Sequence, residues 1–433
     1  MKFHATHTLI DDAEFTKTAA SLNEYRAHLR TVAQKTDYAD PECSLQLPSD
    51  DGQLERAQAL VEAIKTPTLQ YIVVIGIGGS NLGTQAVYDA IAGSMSLLYD
   101  RLPKLLFLDT VSDERMTAVV RILSRMPSRE DFAIISVSKS GGTTETISNT
   151  EVLWRSLEEQ FGDVRDRFCF ITDEGSNFWK ASEQHKTHRI AIPKQVGGRY
   201  SVMSAVGLVP LLLGKIDIEA MRSGARDALQ DNLSDDLTRN HALVSAACTY
   251  IHSKLGRSIH NSFVYAAKLE SLGKWYRQLM GESVGKEKNL NGDVVNAGIT
   301  PIVSIGSTDL HSMAQLYYGG PDDKFTNIIY SFKGDINLVP REMKMPGLVQ
   351  DIGGKSLEQI TAAIVGGVKA AYKKKQRPFL EIDMEGITPC ELGYYLQFRM
   401  IEMMYLAQLM NVNAFNQPAV ESYKEATREL LKT

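Results

Sequence analysis

Four short stretches of the sequence set ionisable side chains beside glycine or at the ends of apolar runs: GGRYS at 197–201, GESVGKE at 281–287, GSTDLHSM at 306–313 and NAFNQPAVESYK at 413–424. Between them they offer a guanidinium (Arg199), a carboxylate (Glu282), an imidazole (His311) and, within two helical turns, Gln417, Glu421 and Lys424. A carboxylate can move a proton, a guanidinium can hold negative charge on oxygen, and an imidazole changes its charge near neutral pH. Taken singly, each has a plainer explanation: Glu282 as a solvated acid, Arg199 as a surface cation, His311 as a helix-start residue, Lys424 as the partner of Glu421.

Two further stretches suit an anion. In YIVVIGIGGSNLG (71–83) an apolar run passes straight into glycines and a serine. A dinucleotide fingerprint needs a third glycine where Asn81 stands, and no Gly-Lys-Ser/Thr closes a nucleotide P-loop. What remains is a tight turn that brings Gly79 and Ser80 to the start of a helix, where the positive end of the dipole favours an anion. The second stretch, SKSGGTTET (138–146), is richer. Hydroxyls at Ser138, Ser140 and Thr143, the cation of Lys139 and the unhindered amides of Gly141 and Gly142 are together enough to surround a phosphate monoester. A serine-rich helix cap is the plainer alternative, but a cap uses one hydroxyl and this loop supplies several.

The elements that must carry these groups follow from the hydrophobic pattern. YIVVI, KLLFLD, FAIISVS and FCFITD are near-continuous apolar runs separated by helical periodicities, the pattern of a parallel sheet covered on both faces. A second series begins near residue 215, with helices around 217–230 and 238–255 and strands near 262–266, 300–305, 326–332 and 379–383, a second α/β unit. Residues 12–37 read as one or two surface helices, and the tail as helices at 389–411 and 418–432, the first apolar around most of its circumference and so buried. At 433 residues the chain exceeds what one core fills, so two domains are expected. The basic run KKKQR (373–377) sits where cations complement a helix end before Pro378.

Bulk composition narrows the partners. A formal net charge of -5, from 47 basic and 52 acidic residues, argues against a nucleic acid, which asks for a concentrated basic face. Four scattered cysteines form no CxxC pair, so neither a disulfide framework nor a zinc knuckle is expected and a reducing cytoplasm fits. No membrane segment is expected, since the longest uncharged apolar run, 200–214, is too short to span a bilayer. His4 with His7 and His185 with His188 have ligand-like spacing but lack a third ligand nearby, so no metal site is expected.

In order and spacing these stretches resemble glucose-6-phosphate isomerases from about residue 65 to the C-terminus. VGGRYSVMSAVGL and QPAVESYK look like the two best-known signatures of that family, and GIGGSNLG, SKSGGTTET, GESVGK and GSTDLH are similar to its other site segments. The length resembles that of the shorter bacterial members. The resemblance implies an α/β fold of two sugar-isomerase domains, each a mostly parallel sheet flanked by helices. The expected division is an N-terminal helical extension at 1–45, a large domain at 46–205, a small domain at 206–388 and a helical arm at 389–433 that completes the site.

The resemblance also implies roles. Gly79, Ser80, Ser138, Lys139, Ser140 and Thr143 would hold the sugar phosphate, with Lys139 assisting through its amide. Glu282 would be the catalytic base, Arg199 the cation beside it, and His311 the group that helps open the sugar ring, donated by the partner of a homodimer whose sites lie at the subunit interface. Gln417 and Lys424 would contact the substrate from the C-terminal segment. Gly142 stands where threonine is frequent, leaving an amide but no hydroxyl. The implied reaction interconverts glucose 6-phosphate and fructose 6-phosphate by ring opening and proton transfer between C1 and C2 through a cis-enediol, with no cofactor and no metal. A non-catalytic phosphosugar sensor and an enzyme that also isomerises mannose 6-phosphate are the alternatives. Because a carboxylate is a weak base in water, the base role predicts burial of Glu282.

Overall fold

The computed structural model describes residues 1–93, 95–333 and 337–432. It opens with strand β1 (Lys2–His7), which two helices and a third, Asp51–Ile64, separate from β2 (Tyr71–Ile75), β3 (Lys104–Leu108), β4 (Phe132–Val137), β5 (Phe168–Thr172) and β6 (His188–Ala191). These last five form an all-parallel sheet in the order β3-β2-β4-β5-β6. The unbroken apolar character of β2 has a direct cause: Ile72 and Val74 enter one core while Val73 and Ile75 enter another on the opposite face.

The second half adds β7 (Ile259–Val264), β8 (Lys286–Lys288), β9 (Val294–Ala297), β10 (Thr300–Ile305), β11 (Lys324–Tyr330) and β12 (Phe379–Asp383). Strands β8 and β9 make a separate antiparallel hairpin, and the rest join β1 in a sheet of order β1-β12-β11-β7-β10. The strand expected near 326–332 is β11, and the small strand β6 and the hairpin carry no apolar run that would announce them. Residues 1–45 differ from a purely helical extension. β1 lies antiparallel along β12 and completes the second sheet, with Phe3 packed on the rings of His241 and Phe398 and Lys2 paired with Glu385 at 2.8 Å. It is a half-buried edge strand, so no long apolar run marks it.

Helix Pro389–Leu409 is buried around nearly its whole circumference, as its composition implies. Within it Arg399 and Glu402 form a fully buried ion pair at 2.8 Å, and Glu402 also accepts the Tyr276 hydroxyl at 3.0 Å. Tyr276 belongs to helix Glu270–Val284, which carries Glu282, so this polar knot fixes that helix in the core. All four cysteines are free, and no described helix is long and apolar enough to cross a membrane.

Candidate active site

Strand β2 lies between β3 and β4, so the chain leaves it first to one side and then to the other. Such a switch point opens a crevice at the carboxyl ends of the strands. The two serine-bearing loops border it. After β2 the chain makes a short turn, Gly78–Ser80, before helix Leu82–Ala92; after β4, residues 138–143 lead into helix Thr144–Phe161. Thr143 occupies the N-cap position of that helix but makes no side-chain cap bond; its hydroxyl pairs with that of Ser138 at 2.9 Å. A loop whose purpose was capping would spend this hydroxyl on the helix, so the amides at the helix end stay available to an anion.

Gly79 shows why no side chain is tolerated in the first loop. A Cβ there would lie 2.1 Å from the carbonyl carbon of Gly198 and 2.4 Å from the Arg199 nitrogen. This close approach joins the loop after β2 to the turn Gly198–Tyr200 that supplies the cation. The Arg199 guanidinium is 2% exposed and held on every side. Its Nε donates to Ser283 Oγ at 2.9 Å, its Nη1 to Glu282 Oε2 and to Gln417 Oε1 at 3.0 Å each, and its Nη2 to the Ala414 carbonyl. One side chain thereby ties together the turn, the end of the Glu282 helix and the segment that links helix Pro389–Leu409 to helix Glu421–Leu430.

The Glu282 carboxylate is held at both oxygens: Oε2 by Arg199, and Oε1 by Gln278 Nε2 at 2.9 Å, one helical turn earlier. Its side chain is 34% exposed, so the burial expected of it is partial and its open side faces the cavity. On the far wall Lys424 reaches Glu421 at 2.7 Å. Asp173, also on the wall, has its carboxyl raised above the usual range by burial, an effect that Lys139 and Lys194 oppose.

The cavity encloses about 680 Å³. Gly79, Ser80, Lys139, Ser140, Thr143, Arg199, Glu282, Gln417 and Lys424 all line it. Ser138 lies just behind, buried against Thr143. His311 is not brought in: it is exposed, on the turn that follows β10, outside this cavity. The sequence reading missed Gln278, whose signal was its i,i+4 spacing from Glu282 on a helix, and Gly198, which only the Gly79 contact reveals. Among the described residues no group of three or more His, Cys, Asp and Glu side chains is placed to hold a metal ion.

A hydroxyl-rich loop joined to a carboxylate held by a guanidinium is an arrangement suited to proton transfer. The model of the phosphoglucose isomerase family matches residues 55–433. The chain is 30% identical over 422 residues to a glucose-6-phosphate isomerase of Rubrobacter xylanophilus, covering 95% of this chain and 93% of that protein. It is 32% identical over 376 residues to one of Carboxydothermus hydrogenoformans, covering 84% and 79%. Among solved structures, a hypothetical protein of Thermus thermophilus superposes over the whole of both chains with a TM-score of 0.86 at 28% identity. A glucose-6-phosphate isomerase of Chlamydia trachomatis, 20% identical, shares the fold with a TM-score of 0.81 over 99% of this chain and 88% of that one. The chain belongs to the phosphoglucose isomerase family.

Proposed function

We propose that this enzyme interconverts glucose 6-phosphate and fructose 6-phosphate. The observation that carries this reading is the Glu282 carboxylate, fixed between Arg199 and Gln278 on one wall of a cavity whose other wall is a hydroxyl-rich helix N-terminus. With the phosphate seated at Ser80, Ser140, Thr143 and the amides beside them, the sugar carbons extend toward Glu282. Binding energy from the phosphate then holds the reacting atoms in register.

Glu282 takes the proton from C2 of the open-chain aldose and returns it to C1. The charge that develops on the enediol oxygens lies beside Arg199, and loss of a comparable contact costs roughly 3 to 4 kcal/mol. A second proton must pass between the sugar oxygens, and the cyclic form must first open. We assign ring opening to His311 of a second copy of this chain, with Lys424 assisting at the ring oxygen. A homodimer would then close the open side of the cavity and deepen the burial of Glu282. The free state of all four cysteines supports a cytoplasmic setting.

A phosphosugar sensor would need the phosphate loops but not the Arg199–Glu282–Gln417 constellation. The deciding test supplies fructose 6-phosphate and detects glucose 6-phosphate and mannose 6-phosphate separately through coupled dehydrogenases. Glucose 6-phosphate formed at enzymatic rates is expected. Binding without turnover would leave the sensor, and comparable mannose 6-phosphate would mark the broader isomerase.

A further inference from the structure

The helix that carries Glu282 ends in an arrangement for which the reaction above has found no use. Past Val284 the chain folds back at Gly285, where a Cβ would lie 2.5 Å from the Gly281 carbonyl oxygen. It then enters β8 with Lys286, whose partner across the hairpin is Ala297. The fold-back sends the Lys286 ammonium under the helix terminus, where it donates to the carbonyl oxygens of Glu282 and of Ser283, the latter at 3.1 Å.

Carbonyls at a helix end welcome a cation, and a solvated lysine would serve. Lys286 is instead 8% exposed. Burial and the nearby Arg199 guanidinium push its ammonium down to about 8, against the pull of Glu282. Those two groups, one from the 198–200 turn and one from the helix, are the charges that face it, and β9 across the hairpin carries none. A charge in so unfavourable a place, bonded to the backbone of the base residue itself, suits function better than stability.

We propose that Lys286 is a positioning residue for proton transfer: by clamping the last turn of the helix, it keeps the Glu282 carboxylate aimed at the reacting carbons while Arg199 holds its other side. This rests on the isomerase reading. The sign of the stability effect separates positioning from simple capping. Because the folded chain holds the proton less tightly than the unfolded one, whose lysine has the ordinary value of 10.5, charged Lys286 opposes folding at neutral pH; that penalty shrinks between about 8 and 10.5. The wild type should therefore gain stability relative to a variant without this ammonium as pH rises from about 8 to 10.5.

The test uses full-length Lys286→Met and Lys286→Arg with glucose 6-phosphate carrying hydrogen or deuterium at C2. For Lys286→Met we expect kcat to fall by about tenfold or more, as for a base displaced by a fraction of an ångström, with KM little changed. The deuterium isotope effect on kcat should grow as proton transfer becomes limiting, while the melting temperature of the wild type relative to Lys286→Met rises between about pH 8 and 10.5. Wild-type kcat should decline as pH rises through about 8, a limb that Lys286→Met lacks. Lys286→Arg, charged throughout, should recover part of the rate and lose the limb. Wild-type kcat and isotope effect in Lys286→Met, or an unchanged alkaline limb, would overturn the proposal. So would a lowered melting temperature with undiminished turnover, the mark of a structural cap. If the wild type itself fails to isomerise the sugar, the isomerase reading falls first and this one with it.

Discussion

At the scale of single residues, the site depends on one guanidinium binding three parts of the chain and one carboxylate left with an open side. Replacing Glu282 by Gln keeps an oxygen for Arg199 and, once the Gln278 amide turns its unpartnered Oε1 to face it, an NH2 that donates to Gln278, but it removes the base. Turnover should fall by roughly 10² to 10⁴, the range for a general base, while a competitive sugar-phosphate inhibitor binds with unchanged affinity because Ser80 and Thr143 are untouched. Steady-state kinetics with inhibition constants check both halves, and near-normal turnover would remove Glu282 from its role. Arg199, Glu282 and Gln417 were legible in the sequence because each stands beside glycine or proline, punctuation that sets it apart from periodic pattern. Gln278 and Lys286 were not. The first sits inside an ordinary helical repeat and the second beyond a helix end, and only the fold-back at Gly285 gives Lys286 its partners.

At the scale of elements, what the sequence made readable was the succession of apolar strand, small-residue turn and helix, because a strand buried on both faces has no polar positions to blur it. Edge strand β1 escaped, since its partner β12 lies at the other end of the chain and nothing local records the pairing. Two elements carry predictions. Helix Glu421–Leu430 buries no side chain, yet it supplies Lys424 to the cavity. Ending the chain after Pro418, which leaves Gln417 on Arg199, should therefore shift the melting temperature by only a few degrees, as surface changes do, and lower kcat/KM by roughly a hundredfold or more. Circular-dichroism melting beside the coupled assay tests this, and a collapse in melting temperature would show the arm to be structural. Helix Pro389–Leu409 behaves in the opposite way. Glu402→Leu strands Arg399 without its carboxylate in a fully buried position, and should cost about 3 to 5 kcal/mol in denaturant unfolding. A loss under about 1 kcal/mol would mean that Tyr276 and its neighbours satisfy the cation alone.

At the scale of the whole molecule, the cavity gathers groups from both halves of the chain and from the arm, but it leaves one wall open and His311 outside. Nothing in the sequence around GSTDLH distinguishes a histidine used by its own chain from one lent to a neighbour, because that difference lies in the surface the turn faces. If the base and the ring-opening group come from different subunits, two inactive variants can repair each other. In a mixed dimer of Glu282→Gln and His311→Ala, one site receives both substitutions, while the other pairs the intact Glu282 of one chain with the partner's His311. Random pairing makes half of the dimers mixed, each with one intact site, so co-expression at equal levels should restore about a quarter of wild-type turnover from two variants that are each poor alone. If both groups came from one chain, every site would carry one lesion and no activity would return. The test also separates ring opening from isomerisation: with freshly generated open-chain sugar the His311→Ala homodimer should regain most of its rate without any partner, whereas the Glu282→Gln homodimer should not.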